Sequence, residues 1–446
     1  MKILLIHVPG KTFRKAAEKG RPYRSYAATT LIQLSALVPP ELAADVQIVD
    51  LMTTPLPATF HADIVGISTW TCGAPEAYRI ADSARQRRMT VVLGGSHPSQ
   101  MPDEAMEHAD AVVVGPAERS WPRLLRDFTH GCLQPVYRDY TDPFSESLPR
   151  LNRGLLNKRR YYITDCLEAT RGCPNRCHFC VVENSTRGQC WKRAVGDVVD
   201  EIKGMGKRVL FLDSSITEFK AYAEKLWRQL VPLNITWYST ATLRFAEDED
   251  AVKLAAKSGC RGVLIGFESI NQASLNGVDK RFNKTTQYKD LIKRLHDHGI
   301  MVLGCFVFGF EGDDPAVFEA TVELVDSARI DLVRYAILTP FPGTPLHALL
   351  HRHRRILSHD WGLYDTEHAV FKPAGMSPVQ LEEGWKWAYL QTYTCSSMIK
   401  RLARLNNPFI LSVPANLHFR KIALEFNRTT DDGGNSPSRS AGTTLA

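Results

Sequence analysis

No apolar run in this chain approaches the roughly 20 residues that a membrane-spanning helix needs. The longest ones, such as Met301–Phe310, stop well short. Charge of one sign is not in excess either. Lys and Arg number 55 against 48 Asp and Glu, and a net charge of +7 over 446 residues is too mild to argue for a nucleic-acid partner. There is no short-period internal repeat. The opening segment MKILLIHVPG carries one Lys, meets Pro9 and lacks a small-residue cleavage site, so a buried strand is expected there and not a secretion signal. Together these absences predict a soluble, cytoplasmic protein. What the chain does have is 44% hydrophobic and 23% charged residues, enough for a packed core and too apolar for global disorder. Its length suggests about three domains, or fewer if a large α/β barrel takes up two of those units.

Cysteine is the first informative residue type. There are ten, and in a cytosolic chain of this size a disulfide framework is not expected, so clustering points to metal or redox chemistry. Four lie between Cys166 and Cys180, and Cys173, Cys177 and Cys180 follow a C-x3-C-x2-C spacing. The scattered others read as small buried hydrophobes. A structural zinc site wants four ligands in closed tetrahedral geometry. His178 adjoins Cys177, neighbouring residues seldom point to one centre, and no second C-x2-C pair exists to complete a ribbon. Iron–sulfur clusters are usually held by four cysteines. Three would leave one iron open to a non-protein ligand, an asymmetry that indicates catalysis.

Residues 1–135 alternate strand and helix signals. Apolar runs fall at 2–7, 46–51, 63–69, 90–95 and 111–115, with helical patterns such as 74–87 and 118–128 between them. This predicts a doubly wound, Rossmann-like parallel sheet whose ligands sit beyond the C-terminal strand ends. Those ends carry Ser68-Thr69, Gly94-Gly95-Ser96-His97 and Gly115-Pro116-Ala117-Glu118, a candidate cleft. Residues 136–160 lose periodicity and read as a linker. A second alternating series over 161–345, with strands at 164–170, 208–213, 235–240, 262–268, 301–309 and 331–338, fits a partial (β/α)6 barrel. Its chemically loaded residues follow the strand ends: the cysteine loop, Asp213, Thr240 with Arg244, and Glu268. Residues 346–425, rich in aromatics, are expected to form a small helical cap. The basic stretch 398–421 reads as a solvated helix face, with weak membrane-surface association as the alternative. Residues 426–446 are expected to be a disordered tail.

C-x3-C-x2-C with an aromatic, Phe179, before the last Cys, placed after the first strand of a (β/α) barrel, resembles the radical S-adenosylmethionine superfamily. The resemblance implies that Cys173, Cys177 and Cys180 bind three irons of a [4Fe-4S] cluster and that S-adenosylmethionine chelates the fourth. It further implies that cluster reduction cleaves the C–S bond to a 5′-deoxyadenosyl radical. Phe211-Leu-Asp213 is similar to a second-strand motif of that family, although Ser214-Ser215 replaces the usual Asp-Asn. Gly266-Phe-Glu268-Ser looks like its fourth-strand cofactor motif, and Thr240 and Arg244 stand where ribose or carboxylate contacts are common. The runs 91–98, 102–105 and 109–118 resemble the cobalamin-binding domains fused ahead of such barrels, and 339–344, 360–361 and 376–378 extend the likeness to about residue 405. The D-x-H-x-x-G signature is absent: His7 follows the first strand without the Asp and Gly. The resemblance therefore implies either cobalamin bound without a protein His on cobalt, as in many of these fused enzymes, or a domain that has lost cobalamin.

These likenesses predict a cobalamin-dependent radical methyltransferase acting on an unactivated carbon of a small apolar or polycyclic metabolite. An external one-electron reductant such as flavodoxin or ferredoxin would serve it. A radical cyclase or rearrangement enzyme with the same cofactors is the alternative, and a non-catalytic cobalamin or iron–sulfur sensor a remoter one. Methylthiolation is disfavoured, because the first domain holds only Cys72 and Cys132.

Overall fold

Six of the seven residues of β1 (Lys2–Val8) are buried, the double-sided burial that a central parallel strand requires. The computed structural model describes residues 1–11, 26–27, 29–403 and 409–431. Around β1 lie β2 (Asp45–Asp50), β3 (Ile64–Thr69), β4 (Thr90–Gly94), β5 (Ala111–Val114) and β6 (Val136–Arg138). All pair in parallel, in the order β2-β1-β3-β4-β5-β6. The order turns back between β1 and β3, the switch point where such sheets open a crevice. Helix Ala74–Gln86 packs Ala77, Tyr78, Ala81 and Ala84 onto one face. Helices Thr29–Ala36 and Ser120–Thr129 cover the other with Leu31, Trp121, Leu124 and Leu125. The sixth strand corrects the expected linker: Val136–Arg138 runs alongside β5 and belongs to the first sheet. Three residues are too short to show a period, so the sequence reads there as loop.

The second sheet comprises β7 (Cys166–Leu167), β10 (Arg208–Phe211), β11 (Thr236–Ala241), β12 (Cys260–Glu268), β13 (Met301–Phe308) and β14 (Leu332–Ile337). They stand side by side in chain order, all parallel, with crossover helices between them. This is the expected open (β/α)6 arc. A short antiparallel ribbon, β8 (Thr170–Arg171) with β9 (Trp191–Lys192), clamps both ends of the cysteine-bearing segment.

An open arc leaves an edge strand with unpaired backbone groups. Here the aromatics of helix Pro378–Thr392 cover it. The Tyr389 hydroxyl accepts from the Tyr335 amide and donates to its carbonyl, both at 3.1 Å. The Tyr393 hydroxyl accepts from the Val333 amide at 3.0 Å and donates to its carbonyl at 2.6 Å. Trp385 Nε1 donates to Tyr335 O at 3.0 Å. Spacing of four residues keeps all three on one helix face. The cap aromatics therefore seal the barrel and give no information on the substrate.

Two further expectations change. Arg401 is fully buried and donates to the carbonyls of Ile330, Asp331 and Thr392, so the basic stretch is not one solvated face. Arg404 lies outside the described residues. The last helix, Phe409–Asp431, takes in the first six residues of the expected tail, and 432–446 lie outside the described residues. Tyr389→Phe leaves the buried Tyr335 amide without an acceptor, so a loss of about 1–3 kcal/mol is expected in denaturant unfolding. An unchanged midpoint contradicts the edge-sealing role.

Candidate active site between the two sheets

The cysteine loop is fixed first from beneath. Asp213, just beyond β10, is 1% exposed; it accepts from the Ala169 amide at 3.2 Å, from the Thr170 amide and from Thr170 Oγ1 at 2.6 Å. Burial pushes its carboxyl up to about 7, against the hydrogen bonds from Thr170 and Ala169 that pull it down. Thr240 Oγ1 donates to the Asp213 carbonyl. Both groups thus brace the strand ends beneath the loop.

Above that base, Cys173 and Cys180 are part-exposed and Cys177 is buried. Burial pushes the Cys177 thiol up to about 12, Lys280 opposing it and Cys180, Glu268 and Cys173 adding to it. Burial raises Cys180 as well, with Lys280 again opposing and Cys173 adding. The three thiols thus share one electrostatic neighbourhood. Among the described residues no three His, Cys, Asp or Glu side chains converge on a single-ion site. Asn175 Nδ2 lies 3.4 Å from Cys173 Sγ, and Arg244 donates to Asn175 Oδ1 at 2.8 Å and to Glu218. Arg244 therefore braces the loop. Glu268 ends β12 and pairs with Lys280 at 2.6 Å, and Phe179 lies 6.0 Å from that ammonium. Lys280 carries no sequence signal; only the fold brings it to the cysteines.

A cavity of about 300 Å3 opens at the C-terminal ends of the first sheet. Ser68, Gly94, Gly95, Gly115 and Glu118 line it together with the apolar Leu34, Val92, Val113 and Trp121. Gly95 adopts φ +100°, and a Cβ there would lie 2.6 Å from the Thr69 carbonyl, so only glycine lets this loop lie so close to β3. The barrel supplies the opposite wall through Leu212, Glu168 and Arg171. Arg171 Nη2 bonds Glu118 Oε1 at 2.8 Å and Glu168 Oε2 at 2.6 Å. Glu118 also accepts from Gln33 Nε2 at 2.7 Å, while its other oxygen, buried, has no partner. The strand ends of the two sheets face each other, with Arg171 two residues ahead of Cys173.

Two expected cleft residues are absent from this wall. Thr69 Oγ1 donates to the Val8 carbonyl. His97 is fully buried, with Nε2 3.3 Å from Glu104 Oε1 and its ring 5.2 Å from Trp361. Trp361 Nε1 also donates to Glu104 at 3.0 Å, so this cluster ties the C-terminal region to the first domain. The Asp missing beside His7 in sequence comes from the neighbouring strand: Nδ1 lies 2.8 Å from Asp50 Oδ1, whose other oxygen accepts from Tyr161 at 2.7 Å.

Comparison with known proteins agrees with this two-part geometry. The Radical SAM superfamily model matches residues 167–325, and the B12 binding domain model matches 44–125. The chain is 31% identical over 376 residues to bacteriochlorophyllide d C-12(1)-methyltransferase of Chlorobaculum tepidum, covering 81% of this chain and 82% of that one. It is 30% identical over 383 residues to the C-8(2)-methyltransferase of the same organism, covering 80% and 84%. The chain belongs to the cobalamin-binding radical S-adenosylmethionine family. The fold matches that of the radical S-adenosylmethionine methyltransferase TsrM from Kitasatospora setae, with TM-score 0.65 at 17% identity, covering 97% of this chain and 99% of that one.

As a member of this family the protein is a radical S-adenosylmethionine enzyme whose cofactors are a [4Fe-4S] cluster, S-adenosylmethionine and cobalamin. The residues present fit them: three thiols in one field, a glycine-lined slot, and a buried Glu118 oxygen awaiting a donor. No helix among the described residues is long and apolar enough to cross a membrane.

The Asp213 environment yields a pH test. A carboxyl whose folded pKa, about 7, exceeds its unfolded value of about 3.9 stabilises the fold fully below the lower value and loses that contribution as pH rises through the upper one. Relative to Asp213→Asn, the native chain is expected to lose stability between about pH 4 and pH 7. Parallel pH profiles in denaturant unfolding contradict this.

Proposed function

We propose that this chain is a cobalamin-dependent radical methyltransferase that methylates an unactivated carbon of a small, apolar polycyclic molecule. The observation that carries the reading is the shared cavity wall. The glycine-lined slot of the first sheet opens onto Arg171, and the cysteine loop begins two residues later. Methyl transfer and a tetrapyrrole-like substrate are supported by the two relatives named for methylating carbons of a bacteriochlorophyllide.

In this reading Cys173, Cys177 and Cys180 hold three irons and leave the fourth open. Glu268 and Phe179 border the place where S-adenosylmethionine binds. Ser68, Gly94, Gly95, Gly115 and Glu118 hold the corrin rim, and the apolar slot beside Leu34 and Trp121 takes the nucleotide tail. When bound, these groups supply a hydrogen-abstracting radical and a transferable methyl group. The chain's own work is geometric and electrostatic: it fixes the two reactive centres across one gap and keeps water and quenching groups out. The Arg171 ion pairs tie the barrel to the first sheet at that gap, and the Trp361–Glu104 contact ties the C-terminal region to the first domain. Electrons come from an external one-electron donor of the flavodoxin or ferredoxin class, and the cytoplasm is the compartment that suits it.

The test uses S-adenosylmethionine labelled in its methyl group and a bacteriochlorophyllide as probe substrate. Label in the product is expected. An unlabelled, altered product formed together with 5′-deoxyadenosine points instead to cyclisation or rearrangement. Leu34→Trp fills the slot from its helix wall, so it should abolish cobalamin binding and methyl transfer while 5′-deoxyadenosine formation continues. Loss of both activities contradicts the separation of the two sites.

A further inference from the structure

Among the charged groups around the cysteine loop, one is held in place by three separately costly features. Lys280 is 8% exposed and its ammonium pairs with Glu268 at 2.6 Å, a buried ion pair whose desolvation offsets much of its attraction. Glu268 adopts φ +63° in spite of its Cβ, a left-handed backbone that disfavours any residue but glycine. Gly266 leaves the room that the pair occupies: a Cβ there would lie 2.2 Å from Glu268 Oε1 and 2.9 Å from Lys280 Nζ. Unfavourable local terms converging on one ammonium are the signature of a functional group.

That ammonium lies against the loop. The His178 amide donates to the Val278 carbonyl at 3.1 Å, the Asp279 carbonyl is 4.0 Å from Cys177 Sγ, and Lys280 Nζ is 6.0 Å from the Phe179 ring centre. Residues 278–280 thus run beside Cys177–Cys180. Lys280 Nζ stands over the Phe179 ring, and Phe179 lies between Cys177 and Cys180, so the pair presents its ammonium end to the loop.

We propose that Lys280 sets the reduction potential of the cluster: its buried ammonium, anchored by Glu268 beside Cys177 and Cys180, favours the reduced form. This rests on the cluster assignment made under the proposed function. Reduction adds one electron, and so one negative charge, to the centre that the three thiolates hold. A fixed cation in a low-dielectric surround stabilises the added charge, as net charge and burial do for such clusters generally. Lys280 touches no reacting atom; it is a positioning residue acting through its field.

The experiment is an EPR-monitored redox titration of the reconstituted full chain with dithionite as the electron source and without S-adenosylmethionine. Lys280→Met is expected to move the midpoint to a more negative value and Glu268→Gln to a less negative one, with Lys280→Arg close to wild type. Opposite signs follow from a field, whereas a packing role moves both the same way or neither. Midpoints unchanged, or shifted in one direction by both variants, overturn the proposal. So does loss of the cluster in both Lys280→Met and Lys280→Gln, which makes Lys280 an assembly residue. So too does weakened S-adenosylmethionine binding at an unchanged potential. A wild-type chain that assembles no [4Fe-4S] cluster contradicts the proposed function itself, whereas an assembled cluster with an unmoved potential contradicts only the role of Lys280.

Discussion

The site depends on one half-buried cation between two carboxylates. Arg171 stands at the start of the cysteine loop, yet it is neutralised from both domains, by Glu168 of the barrel and Glu118 of the first sheet. Those two carboxylates hold its guanidinium well above the usual range against the cost of burial. Loss of Glu118 leaves the guanidinium with Glu168 but removes an ion pair that joins the cysteine loop to the first sheet. Separating the two domains at this point breaks the Arg171–Glu118 pair. The distance between the slot and the thiols is consequently a property of the fold and not of a flexible linker.

Around that ion pair the architecture follows from strand direction. Both sheets are parallel, so both place their ligand-bearing loops at C-terminal strand ends. Gly95 lets the β4 loop lie against Thr69 and keeps the slot open on the first sheet. Asp213 and Thr240 brace the loop base on the second. The aromatic face of helix Pro378–Thr392 replaces the missing neighbour of β14, so the barrel stays open at its edge without exposing unpaired backbone.

Much of this was legible in the sequence. The apolar runs and their spacing anticipated eleven of the twelve strands of the two large sheets within a few residues, because parallel strands buried on both faces read as continuous apolar runs. The C-x3-C-x2-C loop was legible because its chemistry is local. Val136–Arg138 was missed because three residues carry no period. The motif marks Asp213 as important, but it does not say that the carboxylate holds the Ala169 and Thr170 amides of the loop above it. The glycine turn ahead of His97 points to the cleft, but burial against Trp361, some 260 residues away, takes the ring into the core. Lys280 and Arg171 were invisible for the same reason. Each gains its role from partners brought together only by tertiary structure.

The account holds that the cobalamin slot and the cluster face each other across a single gap lined by Arg171. Pulsed EPR on the full chain loaded with cob(II)alamin and a reduced [4Fe-4S] cluster reads that arrangement directly, since two nearby unpaired spins couple through space. A resolved dipolar coupling between the two centres, lost in Leu34→Trp, is the predicted result. Two full, independent signals with no coupling in the doubly loaded protein would contradict it.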